Sequence, residues 1–319
     1  MKKECQVPSS VGNRMLRCVM WTPLGKPKAA VVLVHGMIEH IDRYEEFAMY
    51  LRRQGYAVVG YDQLGHGKTA VNQEDLGFFA EKKGEKIVIQ DIERVVTCTK
   101  KQFPGTPLLL FGHSMGSFFV RKYVTVYGKE LDGAVFCGTG SMPMPVMVLG
   151  LAAAQVIRLV KGNHYRSAFL HKQVFEANNR QIKNPETDRD WLTRDKEKIQ
   201  ENIQDPYCNF MFTTGAYVNF LKIMIDLKRK KGFANIPKQI PVLMIAGGQD
   251  PVGHQGEDVA ALCDLFREEI GMEQVTLILC EEDRHEILNE LDRQAVYSQI
   301  EKWMDNCLME KRISERGRQ

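Results

Sequence analysis

The chain has 319 residues, of which 44% are hydrophobic and 26% charged, with 26 Gly and 12 Pro. These values exclude collagen-like, low-complexity and wholly disordered classes, and a chain of this length buries about three quarters of its surface around a core of its own. The 43 Lys and Arg against 40 Asp and Glu leave a net charge of +3, which gives no reason to expect a nucleic-acid partner.

MKKECQVPSS at the N-terminus has two lysines but no apolar run, so no signal peptide is expected. Leu16 to Trp21 reads as a short strand. Ala29 to Val34 is a continuous apolar run that stops at His35-Gly36, the pattern of a parallel strand covered on both faces. Tyr44 to Arg53 fits a helix ended by Gly55, and Tyr56 to Tyr61 a strand followed by a turn through Gly65 and Gly67. Glu85 to Gln102 places Val88, Ile92, Val95, Val96 and Thr99 on one helical face, and Phe103-Pro104-Gly105 breaks it. Leu108 to Phe111 is a strand, Gly112 to Gly116 a tight connection, Ser117 to Tyr127 a helix and Ala134 to Cys137 a strand. Strands separated by helices imply a doubly wound, mostly parallel sheet.

That rhythm stops between Ser141 and Pro237. Met144 to Lys161 reads as an apolar helix, while Pro143, Pro145, Gln155 and Arg158 make Met142 to Val160 a poor membrane span. Asn178 to Gln204 is polar, with Trp191 and Leu192 isolated inside it. Pro206 to Asp226 is rich in aromatic residues. Lys228 to Lys231 is a basic run, read first as a solvated helix end and second as a contact for an anionic surface. Strand and helix then alternate again: Val242 to Ala246, a helix from Val259 to Ile270, Val275 to Cys280, and a final helix from Leu291 to Leu308. The expected organisation is therefore a sheet domain in two parts, 1–140 and 238–319, split by a mainly helical cap at 141–237. The eight cysteines include no CxxC pair and read as buried free thiols of a reducing, cytoplasmic setting.

Gly112-His113-Ser114-Met115-Gly116 matches G-x-S-x-G directly between a strand and a helix. This is the context of a nucleophile elbow, where glycines let neighbouring backbone approach a serine held in a sharp turn. A hydroxyl needs a base. His285 follows the strand ending at Cys280, and Asp250 follows the strand ending at Ala246 and the Gly247-Gly248 turn. Ser114, Asp250 and His285 thus fall in the chain order of an α/β-hydrolase triad. Asp283 and Glu286 are alternative acids near His285, but a side chain that close along a loop is poorly placed to reach the far ring nitrogen. The backbone N–H of Met115, at the helix start, and that of Met37, in the first strand-to-helix loop beside Gly36, are the expected oxyanion donors. His35, His66 and His113 read as hydrogen-bonded loop histidines. No HExxH spacing occurs, so neither metal nor other cofactor is expected.

Four stretches resemble the monoacylglycerol lipase and lysophospholipase branch of the α/β-hydrolases, which also contains serine-aminopeptidase-like members. They are HGMIEHIDRYEEFAMYL from His35 to Leu51, GYDQLGHG from Gly60 to Gly67, the GHSMG elbow, and GQDPVG with RHEILNE near the C-terminus. Ser117 stands where many members have a third glycine, and Gln63-Leu64 varies the Gly-His-Gly turn. The resemblance implies a mostly parallel eight-stranded sheet flanked by helices, with a helical cap. It also implies hydrolysis of a small-molecule or lipid-like acyl ester through an acyl-enzyme on Ser114. Met142, Met144, Val146, Met147, Leu149, Leu151, Phe210, Phe212, Tyr217 and Phe220 are candidates either to line an acyl channel or to pack the cap. The cap is a candidate for peripheral membrane contact, and oligomeric state is left open. Three alternatives stay beside this reading: an aminopeptidase or amidase using Glu176, Glu186, Asp188 or Asp190 to hold a free amine, an esterase for small aromatic esters, and a non-catalytic binding protein on a hydrolase fold.

Overall fold

The computed structural model describes residues 1–229, 233 and 235–316; Lys230 and Lys231 of the basic run lie outside the described residues. Eight strands form one sheet: β1 Lys2–Pro8, β2 Met15–Trp21, β3 Ala30–Val34, β4 Ala57–Tyr61, β5 Leu108–His113, β6 Gly133–Cys137, β7 Val242–Gly247 and β8 Val275–Cys280. Their order is β1-β2-β4-β3-β5-β6-β7-β8. β2 runs antiparallel to both neighbours, and the other pairings are parallel.

The continuous apolar runs follow from cover on both faces. In β3, Val31 and Leu33 join a core with α1 (Glu45–Arg53) and α9 (Arg293–Arg316). Ala30, Val32 and Val34 point to the opposite core, shared with α2 (Gly84–Gln102), α3 (Met115–Tyr127) and α8 (Glu257–Asp264). β1 is a strand the sequence reading lacks. It is an edge strand, mostly exposed and charged at Lys2, Lys3 and Glu4, so it carries no apolar run to reveal it.

Between β6 and β7 the chain forms α4 Met144–Lys161, α5 Ala168–Asn179, α6 Lys196–Gln204 and α7 Thr214–Asp226. The prolines that weighed against a membrane span stand at the start of α4: Pro143 is its N-cap and Pro145 lies in the first turn. By length and composition α4 is therefore long and apolar enough to cross a membrane, and only 11% of that window is buried. It packs along α7, where Gly150 meets Leu221. The cysteines, which the sequence pattern predicts to be buried, are not all so. All eight are free, but Cys98 is exposed, and Cys5 and Cys280 are only half-buried.

Parallel strands bring the loops after β3, β5, β7 and β8 to one edge of the sheet. Met37, Ser114, Asp250 and His285 are in those four loops.

Candidate active site

Ser114 links β5 to α3 with φ +51° and ψ −122°, a left-handed backbone that a residue with a Cβ adopts at a cost. Three contacts hold it there. Its N–H donates to the Cys137 carbonyl at 2.9 Å, and its carbonyl accepts from Ser117 N–H at 2.8 Å and Ser117 Oγ at 2.6 Å. Ser117, the departure from a third glycine, thus pins the elbow through its hydroxyl. A Cβ on Gly116 would overlap the Val34 and His35 carbonyls, and one on Gly112 the Gly116 carbonyl. Helix α3 starts at Met115, two residues earlier than its apolar pattern begins, so the turn is tighter than the sequence reading drew it.

Ser114 Oγ lies 2.8 Å from His285 Nε2. His285 Nδ1 lies 2.9 and 3.0 Å from the two Asp250 carboxylate oxygens. A carboxylate only accepts, so Nδ1 carries the ring proton and Nε2 is left to accept from the serine hydroxyl. Asp250 is fully buried and also accepts from Val252 N–H at 2.9 Å, which fixes its plane. Neither neighbouring acid competes for this place. Asp283 is paired with Arg194, and Glu286 with Arg43 through two 2.7 Å hydrogen bonds.

Met37 and Met115 both line the cavity beside Ser114, and among the described residues neither backbone N–H has an acceptor. Ile38, next to Met37, has φ +56°, an outlier for a β-branched residue. Beneath this loop lies a buried network that the sequence reading did not find. Glu39 accepts from Tyr44 Oη at 2.8 Å, His113 Nδ1 at 3.1 Å, Arg43 at 3.1 Å and Gly36 N–H. Burial favours the neutral acid, but the His113 hydrogen bond and the His113 and Arg43 charges outweigh it and hold the Glu39 carboxyl well below its ordinary range. Burial also lowers His113, and the Glu39 hydrogen bond and charge reverse this, so its pKa rises. Its Nε2 lies 3.3 Å from the His285 carbonyl. The available signal was Glu39 and Arg43 at i,i+4 directly after the first loop.

His35 and His66 are neutral supports. His35 Nδ1 donates to the Gly36 carbonyl at 2.8 Å and its Nε2 accepts from Gln63 N–H at 3.0 Å. Burial pushes His35 down, and burial with the neighbouring His35 pushes His66 down to about 3.

The segment before α6 docks on the His285 loop. Glu286 N–H donates to the Leu192 carbonyl at 2.6 Å, Arg284 to the Asp190 carbonyl at 2.6 Å, and Arg194 to Glu290 at 3.0 Å. The Trp191 ring lies 4.9 Å from that of His285. Its only sequence signal was a lone tryptophan in a charged stretch.

A cavity of about 770 Å³ opens on Ser114 and His285. Of the cap candidates, Met142, Val146, Leu149, Tyr217 and Phe220 line it. Met144, Met147, Leu151, Phe210 and Phe212 do not, and pack into the core instead. Phe169, Leu170 and Val174 of α5 are further lining residues. The buried Tyr217 Oη and Trp191 Nε1 have no hydrogen-bond partner among the described residues. Away from Ser114, two groups bring possible metal-ligating atoms together: His40, Asp205 and Cys208, and Asp283, Glu290 and Asp292. In the first, His40 is already hydrogen-bonded to Asp205 at 2.7 Å; in the second, Arg194 contacts all three carboxylates.

A family model described as serine aminopeptidase, S33 (Hydrolase_4) matches residues 25–292. A monoglyceride lipase homolog of Monkeypox virus is 34% identical over 116 residues, which are 34% of this chain and 37% of that protein. The match thus spans just over a third of the viral relative. A monoacylglycerol lipase of Mycolicibacterium smegmatis is 26% identical over 308 residues, 93% of this chain and 95% of that one. Among solved structures, a thermostable carboxyl esterase from Bacillus coagulans in complex with glycerol superposes with a TM-score of 0.89 at 27% identity, covering 96% of this chain and 99% of its own.

Proposed function

The chain belongs to the serine aminopeptidase, S33 (Hydrolase_4) family of α/β-hydrolases, and from that premise we propose that it is a serine hydrolase of lipid-like carboxylic esters. Its substrates on this reading carry medium-to-long acyl chains, as in monoacylglycerols or lysophospholipid-like esters. The observation that carries the reading is the apolar cavity of about 770 Å³ ending at Ser114, within the size range of ligand sites.

Ser114 attacks the ester carbonyl as His285 takes its proton, and Asp250 stabilises the imidazolium that forms. The Met37 and Met115 N–H groups receive the oxyanion. The alcohol leaves with the proton from His285, and water attacks the acyl-enzyme through the same base. The acyl chain lies among Val146, Leu149, Phe169 and Phe220, where the cap excludes bulk water. Val146, Leu149 and Phe169 are also exposed at the surface, so the apolar lining continues to the outside. With Val156, Leu159 and Val160 of α4 they support peripheral contact with a lipid surface. The free thiols support a reducing, cytoplasmic setting.

The aminopeptidase alternative needs an unpaired acid facing the substrate amine. None of Glu176, Glu186, Asp188 and Asp190 lines the cavity. Asp190 accepts from Glu186 N–H and Thr187 N–H, Glu186 pairs with Lys196, and Glu176 pairs with Lys172 and Arg180. The two carboxylates that do line it, Glu39 and Glu286, are both ion-paired with Arg43, and Glu39 is also hydrogen-bonded to His113. Turnover of p-nitrophenyl esters of increasing chain length, beside aminoacyl amides, tests the assignment. Rising kcat/KM toward longer chains is expected. A flat profile removes the lipid assignment, and faster amide turnover removes the ester assignment.

A further inference from the structure

The turn before α2 reads Glu81-Lys82-Lys83, α4 ends with Arg158 and Lys161, and α7 carries Asn219 and Lys222 at i,i+3 on one face. The fold brings these three segments together around a second cavity of about 540 Å³, lined by Lys82, Lys83, Arg158, Asn219 and Lys222, with Ala80, Glu81 and Asn163. It is separate from the cavity at Ser114 and shares no lining residue with it.

The charges here are poorly compensated. Among the described residues Lys82, Lys83 and Arg158 have no acidic partner, and Lys222 has only Glu85, at 3.9 Å. The Glu81 carboxylate is occupied by His164 at 2.5 Å and Asn163 at 3.1 Å. The start of the 19-residue helix α2 faces the same place. Lys83 is its N-cap, in the left-handed conformation and without a side-chain capping bond, so the first N–H groups are left for another acceptor. An independent observation points to a ligand. Asn219 is 5% exposed and lines the cavity, yet its side-chain amide has no hydrogen-bond partner among the described residues. The amide opens on the cavity rather than being sealed in the core, and a phosphate oxygen is an acceptor it can use.

We propose that this cavity is a binding site for a phosphate-class anion, and that its occupant is the head-group phosphate of an anionic phospholipid. Lys82, Lys83, Arg158 and Lys222 supply charge, while Asn219 and the start of α2 supply directed hydrogen bonds. The lipid source is drawn from place: the cavity lies at the C-terminal end of α4, where Arg158 lines it and the next two residues, Leu159 and Val160, are exposed. Apolar side chains entering a bilayer next to a cluster of cations set that cluster at head-group depth. The inference of an anion site is independent of the esterase reading; the lipid source rests on the membrane contact proposed above.

The full chain is titrated with inorganic phosphate by calorimetry and floated with phosphatidylcholine vesicles, with and without added phosphatidylglycerol. Lys82→Glu/Lys83→Glu, Asn219→Leu and Leu159→Asp are compared, with turnover of a short soluble ester reporting that each variant is folded. Saturable phosphate binding is expected in the wild type and in Leu159→Asp, and its loss in the other two. Phosphatidylglycerol strengthens vesicle binding, by about fivefold for each cation that contributes, and salt weakens that gain. Leu159→Asp lowers binding to both kinds of vesicle. Absence of phosphate binding in the wild type, or a phosphatidylglycerol preference unchanged in the double variant, overturns the site. Phosphate binding without a phosphatidylglycerol preference keeps the anion site and overturns its lipid occupant. Loss of soluble-ester turnover on Ser114→Ala with phosphate binding intact separates this inference from the catalytic one.

Discussion

At the edge of the sheet, Asp250, His285, His113 and Glu39 are almost wholly buried, and each is held by at least two directed contacts. In α4, Leu149, Val156, Leu159 and Val160 face outward without cover, and the helix is held mainly along its contact with α7. The edge has no spare volume, since a Cβ on Gly116 would strike the Val34 carbonyl. Gly150 of α4 has room, with its nearest neighbours, atoms of Leu221, at 3.7 and 3.9 Å. The difference separates two tasks. Proton transfer needs donor and acceptor fixed to fractions of an ångström, whereas an apolar surface that receives flexible chains needs only area.

Substitutions at the two regions sharpen this contrast. Ser114→Ala is expected to lower kcat on a soluble ester about 10⁶-fold while the thermal midpoint changes little; a residual rate near that of the wild type would break the assignment of the edge. Gly116→Ala is expected to cost about 1–3 kcal/mol in denaturant unfolding. Its counterpart Gly150→Ala should be neutral or stabilise by up to about 1 kcal/mol, because alanine favours a helix. Equal effects at the two glycines would erase the distinction.

Glu39→Gln is expected to cost about 2 kcal/mol at neutral pH through weakened charge-assisted hydrogen bonds. The Glu39 carboxyl is depressed in the folded chain, so its ionisation stabilises the fold in full above the unfolded glutamate value of about 4.3. That contribution is lost as pH falls below this value toward the folded one. The gap in thermal midpoint between wild type and Glu39→Gln should therefore narrow on acidification, and a gap that widened would contradict the network. Leu159→Asp is expected to leave soluble-ester kcat/KM within about twofold, since Leu159 is exposed, does not line the cavity at Ser114, and surface changes rarely disturb the fold.

The parts of this arrangement differed in how far they could be read from residues. Ser114, Asp250 and His285 each follow an apolar strand, and strands of one direction deliver their loops to one edge, so three separate stretches could be assigned to a single place. β1 escaped because an edge strand carries charge, and α6 because its KEKIQENIQ run offers only two apolar residues to mark a helical face. Glu39 and Arg43 stand at i,i+4, but the Arg43–Glu286 ion pair joins residues 243 positions apart, and no local pattern encodes that pairing. The partition of the cap into lining and packed residues was equally closed to sequence. Met147 and Val146 are adjacent and alike, and only the face that α4 turns to its packing partners buries one and exposes the other.

Ser114 and His285 are separated by 171 positions, with the inserted helices between them. During synthesis at about 5–20 residues per second, the serine is made roughly 10–30 s before its base. The nascent chain can assemble β3, β4, β5 and β6, and even display the elbow, while it still lacks the residue that turns a hydroxyl into a nucleophile. Reactivity arrives only with β8 and the loop beyond it, after the walls of the cavity have been made. The order of the genetic message thus acts as a safety catch on the growing chain.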